Sequence, residues 1–419
     1  MSRIDQLIAE LCPEGVKFNS LEELGATYGG LSGKSKADFS NGNARFVSYK
    51  NIFNNLAVDL GAGDFVRVGA GENQNTLAVG DVLFTGSSET PDEVGISSVV
   101  VEEPSEAIYL NSFCFGYRFN DTALLLPGFS KYVFRSDTVR QQIVMSASGV
   151  TRFNISKKRF LKVRIPVPPL EVQREIVKVL DTFTELEAEL EAELEARRRQ
   201  YKYYRDALLS FDEHEMSASK QARITTLGEI GSFMRGTGIQ KSDFTETGVG
   251  CIHYGQIHTH YGTWADETLS FVSPEFAARL RKAHTGDLVI ATTSEDDEAV
   301  AKAVAWLGDE DVAVSTDAYI FRHTLNPKYV SYFFQTEFFQ SQKKPHITGT
   351  KVRRISGESL AKVRIPVPSD EEQERIVAIL DRFDALVNDI SIGLPAEIKA
   401  RRQQYEYYRD RLLTFREAA

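Results

Sequence analysis

The sequence predicts an α/β (α+β) fold: two mixed domains separated by two long helices that form an antiparallel coiled coil, with an internal pseudo-twofold repeat. Three observations lead there. The heptapeptide KVRIPVP stands at 162–168 and again at 362–368. Around it the match runs without a gap from KVRIPVPPLEVQREIVKVLDTF (162–183) to KVRIPVPSDEEQERIVAILDRF (362–383), and resumes with RRRQYKYYRDALLSF (197–211) against RRQQYEYYRDRLLTF (401–415). Finally, apolar residues after each heptapeptide recur at three- and four-residue steps, which is the spacing of a bundle or coiled-coil seam and not of a strand.

The 419 residues give a prior of two to three domains at about 150 residues each, and the duplication favours two. The expected boundaries are a first domain at 1–165, a central helix at 166–215, a second domain at 216–365 and a distal helix at 366–419. In the first domain NARFVSYKNIF, GDVLFTG, GISSVVVEE and AIYLNSFCFGYRF read as strands, as do VGCIHYGQIH, GDLVIATT, KAVAWLG and DVAVSTDAYIFRH in the second. Weaker repeats keep their order: FVSYKNIF (46–53) faces CIHYGQIH (251–258), VGDVLFTGSSE (79–89) faces TGDLVIATTSE (285–295), and SGVTRFNIS (148–156) faces TGTKVRRIS (348–356). Each domain should close with one short helix, around GFSKYVFRSDTVRQQIV or NPKYVSYFFQTEFFQSQ.

The prolines of IPVP hold the chain extended, because a residue before proline is pushed out of the α region. Ser369 with Glu372 three residues on has the capping-box pattern of a helix start. The first helix is expected from Leu170 to Phe211, with Ile176, Phe183, Leu186, Leu190, Tyr204 and Leu208 among its seam residues. The second repeats the seam with Ile376, Phe383, Leu386, Ile390, Tyr408 and Leu412. The repeat offset changes from 200 to 204, so four residues enter near 393–395. Four is close to one turn and keeps the seam nearly in phase, while Pro395 should kink or interrupt the helix.

The net charge of −10 argues weakly against nucleic acid, but charge is unevenly spread. Nine basic residues between positions 131 and 166 face only Asp137, a local net of +8, and the matching window 341–366 carries +6. Acid concentrates elsewhere, notably in ELEAELEAELEA (185–196). Three scattered cysteines without a C-x-x-C spacing read as buried thiols. No apolar run approaches the roughly 18 residues of a membrane span, and the first residues lack a signal-peptide core, so a cytoplasmic protein without membrane contact is expected.

Two divergent regions, each closing on RIPVP and a helix start carrying glutamate and glutamine, and each helix ending in YYRDxLLxF, resemble the DNA-specificity (S) subunit of type I restriction-modification enzymes. The resemblance implies two target-recognition domains that each read half of a split sequence in double-stranded DNA, with the paired helices as a ruler. It also implies a non-catalytic subunit with no cofactor of its own. Two adenine-methyltransferase subunits and the restriction translocase/endonuclease subunits would be its partners, carrying S-adenosylmethionine, ATP and Mg. The alternatives are a stand-alone DNA-modifying enzyme and a protein-only coiled-coil adaptor.

Basic, amide and hydroxyl side chains in strand-and-loop positions supply phosphate contacts and base-edge readout. The candidates in the first domain are Lys34, Lys36, Arg45, Lys50, Asn51, Ser87, Ser88, Thr151 and Arg152. In the second they are Arg235, Lys241, His253, Gln256, Thr293, Ser294, Lys351, Arg353 and Arg354. GGLSGKSK (29–36) approaches a phosphate-binding loop, but Tyr28 stands where the first glycine is required. NPKY (326–329) departs from an amino-methyltransferase motif at Lys328. His253, His258 and His260 lack a fourth ligand for a metal.

Overall fold

The computed structural model describes residues 3–210, 222–389 and 391–418. The chain divides into two compact units, Met1–Leu190 with Ile398–Ala419, and Glu191–Glu397. The division cuts through both long helices. Each unit therefore combines one domain, the first part of the helix that follows it, and a length of the other helix.

The first unit is built on a four-stranded antiparallel sheet ordered Gly25–Gly29, Cys114–Phe119, Val82–Thr85, Ser97–Val99. The second has the same order in Gly231–Arg235, Ala318–His323, Leu288–Ala291, Ala303–Trp306, and adds Trp264–Ala265 at the edge. Both central strands, VLFT and LVIA, are buried at every position. Their apolar runs lack alternation because both faces are covered. A smaller sheet in each unit contains one parallel pair, Ala44–Val47 with Tyr109–Leu110 and Val249–Ile252 with Val312–Val314. A hairpin of Ala147–Ser148 and Phe153–Ile155 joins Ser87–Ser88, and Arg353–Arg354 pairs with Thr293–Ser294 in the same way.

The repeated heptapeptide is a strand. Arg164–Val167 pairs with Lys17–Ser20, and Arg364–Pro368 with Ala222–Thr226, in two-stranded ladders where proline's missing donor is tolerated. Ile165 and Ile365 are fully buried. The chain then turns into the long helix, and a buried glutamine closes that turn. Gln173 donates to Pro168 O (2.8 Å) and Leu124 O (3.0 Å) and accepts from Leu126 N (2.9 Å). Gln373 donates to Pro368 O (3.0 Å) and accepts from Asn326 N (2.9 Å). One amide thus ties strand, long helix and the start of an earlier short helix, Pro127–Val133 or Pro327–Phe333, which is why EVQREIV and EEQERIV share their glutamine.

Each domain closes with two short helices where one was expected: Pro127–Val133 and Asp137–Met145, then Pro327–Phe333 and Glu337–Lys343. The first of each pair lies on the long helix. Tyr132 OH donates to Asp181 (2.6 Å) and Tyr332 OH to Asp381 (2.7 Å). A lysine joins each carboxylate from a different position, Lys131 at 2.8 Å and Lys328 at 2.8 Å. Ile176 and Leu180 sit in one core with Phe129, Tyr132 and Val133.

The second short helix is capped by YYRD. Asp410 accepts from Asp137 N (3.0 Å), and Asp206 accepts from Glu337 N (3.2 Å). A carboxylate at a helix N-terminus meets both its free N–H groups and its positive dipole end. Arg409 reaches Asp137 (3.2 Å) from the same turn.

The first long helix runs Leu170–Leu209, two residues short of the expected end; Phe211 lies outside the described residues. Within the first unit its early turns meet the late turns of the distal helix antiparallel, with Phe183 stacked on Tyr408 (5.4 Å) and Glu187 paired with Arg402. Within the second, Tyr204 stacks on Phe383 (5.5 Å) and Tyr201 OH donates to Asp384 (3.2 Å).

The seam differs in detail from the apolar reading. It passes through Glu187 and Val387, leaving Leu186 (41%) and Leu386 (37%) exposed. It passes through the buried Arg205 to Leu209 and through Arg409 to Leu413, so the second leucine of each LL pair is buried and Leu208 and Leu412 are half-buried. Ile176 and Ile376 are fully buried and Leu190 half-buried, whereas Tyr204 stays exposed at its rim. Ile390 lies outside the described residues.

The distal helix is interrupted and does not carry its extra residues as a stutter. It stops at Asn388 and restarts at Leu394, with Pro395 in the new first turn where its missing N–H is no loss. Asp389 accepts from Ser391 N (2.7 Å), and a Cβ on Gly393 would lie 2.3 Å from Ala385 O, so only glycine fits there. Val387, Leu394 and Ile398 remain buried across the break. At the start of this helix Ser369 accepts from Glu372 N (3.3 Å), while the Glu372 side chain goes to Arg375 (2.7 Å) instead of completing a capping box. No helix among the described residues is long and apolar enough to cross a membrane.

Gln373→Ala leaves buried backbone groups unpaired and should lower stability by about 3 kcal/mol in denaturant unfolding, given about 1–3 kcal/mol per orphaned group. A second expectation concerns Lys343, which is buried and donates to Glu298 O (2.7 Å) and Val300 O (2.6 Å). Burial pulls its ammonium from the ordinary 10.5 down to about 8, against the opposing pull of Glu298, Asp296 and Asp297. Between those two values the unfolded chain binds the proton that the folded chain has lost, so folding stability rises with pH there. Wild type should gain on Lys343→Met across that window in paired unfolding curves; parallel curves refute the assignment.

Candidate nucleic-acid interface

The outer hairpin and the loop after the central strand meet at one end of each domain. In the first unit they enclose a cleft of about 470 Å³ lined by Tyr49, Ser87, Ser88, Glu89, Glu93, Phe113 and Arg152. Three predicted residues, Ser87, Ser88 and Arg152, are brought together here. Arg152 Nε lies 3.3 Å from Ser87 Oγ, and Tyr49 OH donates to Ser87 O (3.0 Å). Thr90 Oγ1 holds Glu93 (2.8 Å). The cleft thus offers a guanidinium, hydroxyls, carboxylates and an aromatic ring around one opening. Thr151 is exposed at the hairpin tip, beside Val150 at 91% exposure.

In the second unit the corresponding hairpin exposes Lys351 and Arg354. Arg353 is half-buried, paired with Asp297 (2.8 Å) and bonded to Gly349 O (2.6 Å). Ser294 Oγ accepts from Asp296 N (3.4 Å), and Thr293 is buried beneath the loop. Arg235 is exposed and donates to Thr316 O (2.9 Å) beside Asp317 (3.5 Å).

Several predicted residues prove to hold the fold together. Asn51 is buried and bonds both backbone groups of Asp59, at 2.8 and 3.1 Å. Lys34 is paired with Glu72, whose carboxyl it holds down at about 2, and donates to Arg67 O (2.6 Å). GGLSGKSK is therefore pinned by its lysine. Arg45 bonds Gly61 O (3.0 Å) and pairs with Glu106 (2.9 Å). Gln256 accepts from His253 N (3.0 Å) and donates to Ser270 (2.7 Å), and His253 accepts from Gly255 N (3.2 Å), both as helix caps. Burial, with Lys241 nearby, lowers the His253 pKa. Lys36, Lys50 and Lys241 are exposed.

The basic windows do not act as blocks either. Arg135 donates to Ser97 O (2.8 Å), Arg140 to Val94 O (2.8 Å) and Asp92 O (2.9 Å), and Arg159 to Ala147 O (2.9 Å). Burial pulls the Arg135 and Arg140 guanidinium groups down to about 10, still cationic at neutral pH. They staple loops from inside. The histidines are dispersed over separate contacts: His258 bonds Thr293 O (2.9 Å), and His260 packs on Tyr261 (5.0 Å). Burial raises the Cys114 and Cys251 thiols to about 12, which keeps them inert.

Sequence reasoning missed Phe113, Glu89, Glu93 and Tyr49. Phe113 stands just before the strand Cys114–Phe119 in NSFCFGYRF and reads as another core aromatic, yet it is 65% exposed.

The family model described as the type I restriction modification DNA specificity domain matches residues 13–196 and 222–400, one match per repeat. The chain is 36% identical over 274 residues to the type I restriction enzyme EcoR124I/EcoR124II specificity subunit of Escherichia coli, covering 62% of this chain and 64% of that protein. It is 31% identical to a putative type I restriction enzyme specificity subunit, S.HindORF215P, of Haemophilus influenzae, over 64% of this chain and 68% of the relative. The fold is similar, with a TM-score of 0.63 at 18% identity, to a chain solved in work on complex assembly and conformational transition of the type I R-M system, covering 95% of this chain and 97% of that one. The two matched repeats together span most of the chain, which therefore belongs to the type I restriction modification DNA specificity domain family.

Proposed function

We propose that this chain is the non-catalytic specificity subunit of a type I restriction-modification system and reads a bipartite target in double-stranded DNA. Residues 1–165 and 216–365 act as the two target-recognition domains, and 166–215 and 366–419 as the helices that hold them. One observation carries the reading: the repeats share their principal frame contacts, glutamine to turn, tyrosine to aspartate and aspartate to short-helix N-terminus, while the side chains at the matched rim positions differ. A duplicated frame with different readers suits two different half-sites at a fixed separation. The similarity to specificity subunits supports partners that supply the chemistry: two adenine-methyltransferase subunits with S-adenosylmethionine, and restriction subunits with ATP and Mg. The complex would act in the cytoplasm, on the cell's own and incoming DNA.

Within this reading Lys351 and Arg354 meet phosphates at the second hairpin. Replacing both with Ala should weaken binding and flatten the log–log salt dependence by roughly one unit for each phosphate no longer neutralised. An unchanged slope returns them to solvated surface charge. The helices set the spacing. Four residues inserted between Leu190 and Glu191, with four more between Glu397 and Ile398, lengthen each helix by about 6 Å, a little under two base pairs at roughly 3.4 Å each. The methylated motif of this variant should keep both half-sites and accept a longer spacer. An active variant with the original spacer would show that the helices join the domains without measuring DNA.

A further inference from the structure

The two domains can be aligned through their backbone hydrogen bonds. Gly86 N donates to Phe113 O (3.0 Å) where Thr292 N donates to Asp317 O (2.9 Å), so Phe113 and Asp317 are equivalent. Phe153 faces Ser88 as Arg353 faces Ser294, which makes Arg152 the counterpart of Val352. Gly29 faces Phe115 as Arg235 faces Tyr319. At three matched rim positions the first domain carries Gly29, Phe113 and Arg152, and the second carries Arg235, Asp317 and Val352. The cation stands at the third position in the first domain and at the first in the second, the apolar side chain moves from the second position to the third, and a carboxylate takes the second.

The surroundings say what these positions can touch. Phe113 has its backbone fixed on both sides, N to Asn111 Oδ1 (2.8 Å) and O to Gly86, so its ring is held out into solvent. That ring and Arg152 line the same cleft, so a group that enters it meets both. Glu89 and Glu93 line the same cleft as Arg152. Carboxylates repel phosphate but accept from the amino groups of cytosine and adenine, so this opening fits base edges better than backbone. At the second domain's rim Arg235 and Asp317 lie 3.5 Å apart, a donor and an acceptor side by side.

We propose that these matched rim positions determine base choice: Arg152 reads a guanine and Phe113 a thymine methyl in the first half-site, and the Arg235–Asp317 pair reads the second. The assignment rests on the DNA-reading function above and adds the residues that make the half-sites differ. Arginine presents two parallel donors to guanine O6 and N7, and apolar groups discriminate the thymine methyl in the major groove.

The test uses the chain co-purified with its methyltransferase subunits and a pool of randomised duplexes from which bound DNA is selected and sequenced. Wild type should select a split motif. Arg152→Ala should lose about tenfold of the preference for guanine at one base pair of the first half-site, and Phe113→Ala a similar preference for thymine at another. Both should leave the second half-site untouched, and Arg235→Ala should do the reverse. Should Arg152→Ala fail to fold, Arg152→Lys keeps the charge, loses the fork, and should show the same loss of guanine preference. Variants that select the wild-type motif with full preference at every position overturn the proposal while the bipartite reading stands. A wild-type complex that selects no split motif overturns the reading beneath it.

Discussion

A single amide side chain at the root of each long helix, Gln173 and Gln373, organises what surrounds it. It is buried, and its oxygen and nitrogen are bonded to backbone groups of the preceding strand end and of the loop leading into an earlier short helix. A buried amide that loses these partners suffers a desolvation penalty with nothing to offset it, so the strand, the turn and both helices are coupled through it. The tyrosine–aspartate bonds further along the long helix, Tyr132 to Asp181 and Tyr332 to Asp381, then fix the roll of the short helix on the long one. Each domain gains a second anchor from the far end of the other helix, where Asp410 or Asp206 caps its second short helix. Because the two anchors come from different helices, a domain cannot leave one without distorting the other.

Much of this frame was legible in the sequence. The gapless repeat around KVRIPVP revealed the duplication, the three-and-four spacing located the helices, and the alignment of VGDVLFTGSSE with TGDLVIATTSE correctly paired the central strands. What stayed hidden was polar. A seam read from apolar residues alone cannot include Glu187 or Arg205, so it drifted onto Leu186 and chose Leu208 over Leu209. The distal interruption follows from local chemistry in NDISIGLP, where Asp389 turns the chain and Gly393 lies against helix carbonyls. Pro395 announced the interruption in the sequence, whereas counting four residues as one turn put a stutter where the chain makes a full break.

The candidate interface was harder to read, for an electrostatic reason. Local charge counts treat every Lys and Arg as solvated, but a cation whose acceptors are backbone carbonyls is part of the fold. Arg135, Arg140, Lys343 and Lys34 all belong to that class. Their signature in sequence is the same as that of a phosphate-binding lysine. The amide Asn51 is engaged in the same way, bonded to both backbone groups of Asp59. Conversely Phe113, an aromatic just before an aromatic-rich strand, carries no mark of exposure until the loop that projects it is seen.

The division between frame and rim also explains how the protein can be duplicated without being symmetric in what it reads. The contacts that repeat between units, glutamine to turn, tyrosine to aspartate and aspartate to helix N-terminus, all lie on the helices or on the elements touching them. The side chains that differ, Gly29, Phe113 and Arg152 against Arg235, Asp317 and Val352, stand on loops and strand ends whose backbone hydrogen bonds are unchanged. Gly29 has no atom within 4 Å of where a Cβ would stand, and Phe113 and Arg152 are exposed, so substitutions there open no core cavity and cost little stability beyond the single Arg152–Ser87 contact. Arg322 and Asp287, at 2.9 Å, and Arg118 and Asp81 show the opposite case: the same pair retained in both copies because it braces the central strands from one edge. Under the proposed function, base preference is free to change at the rim while the geometry that presents it stays fixed, and the two halves can diverge in target without diverging in fold.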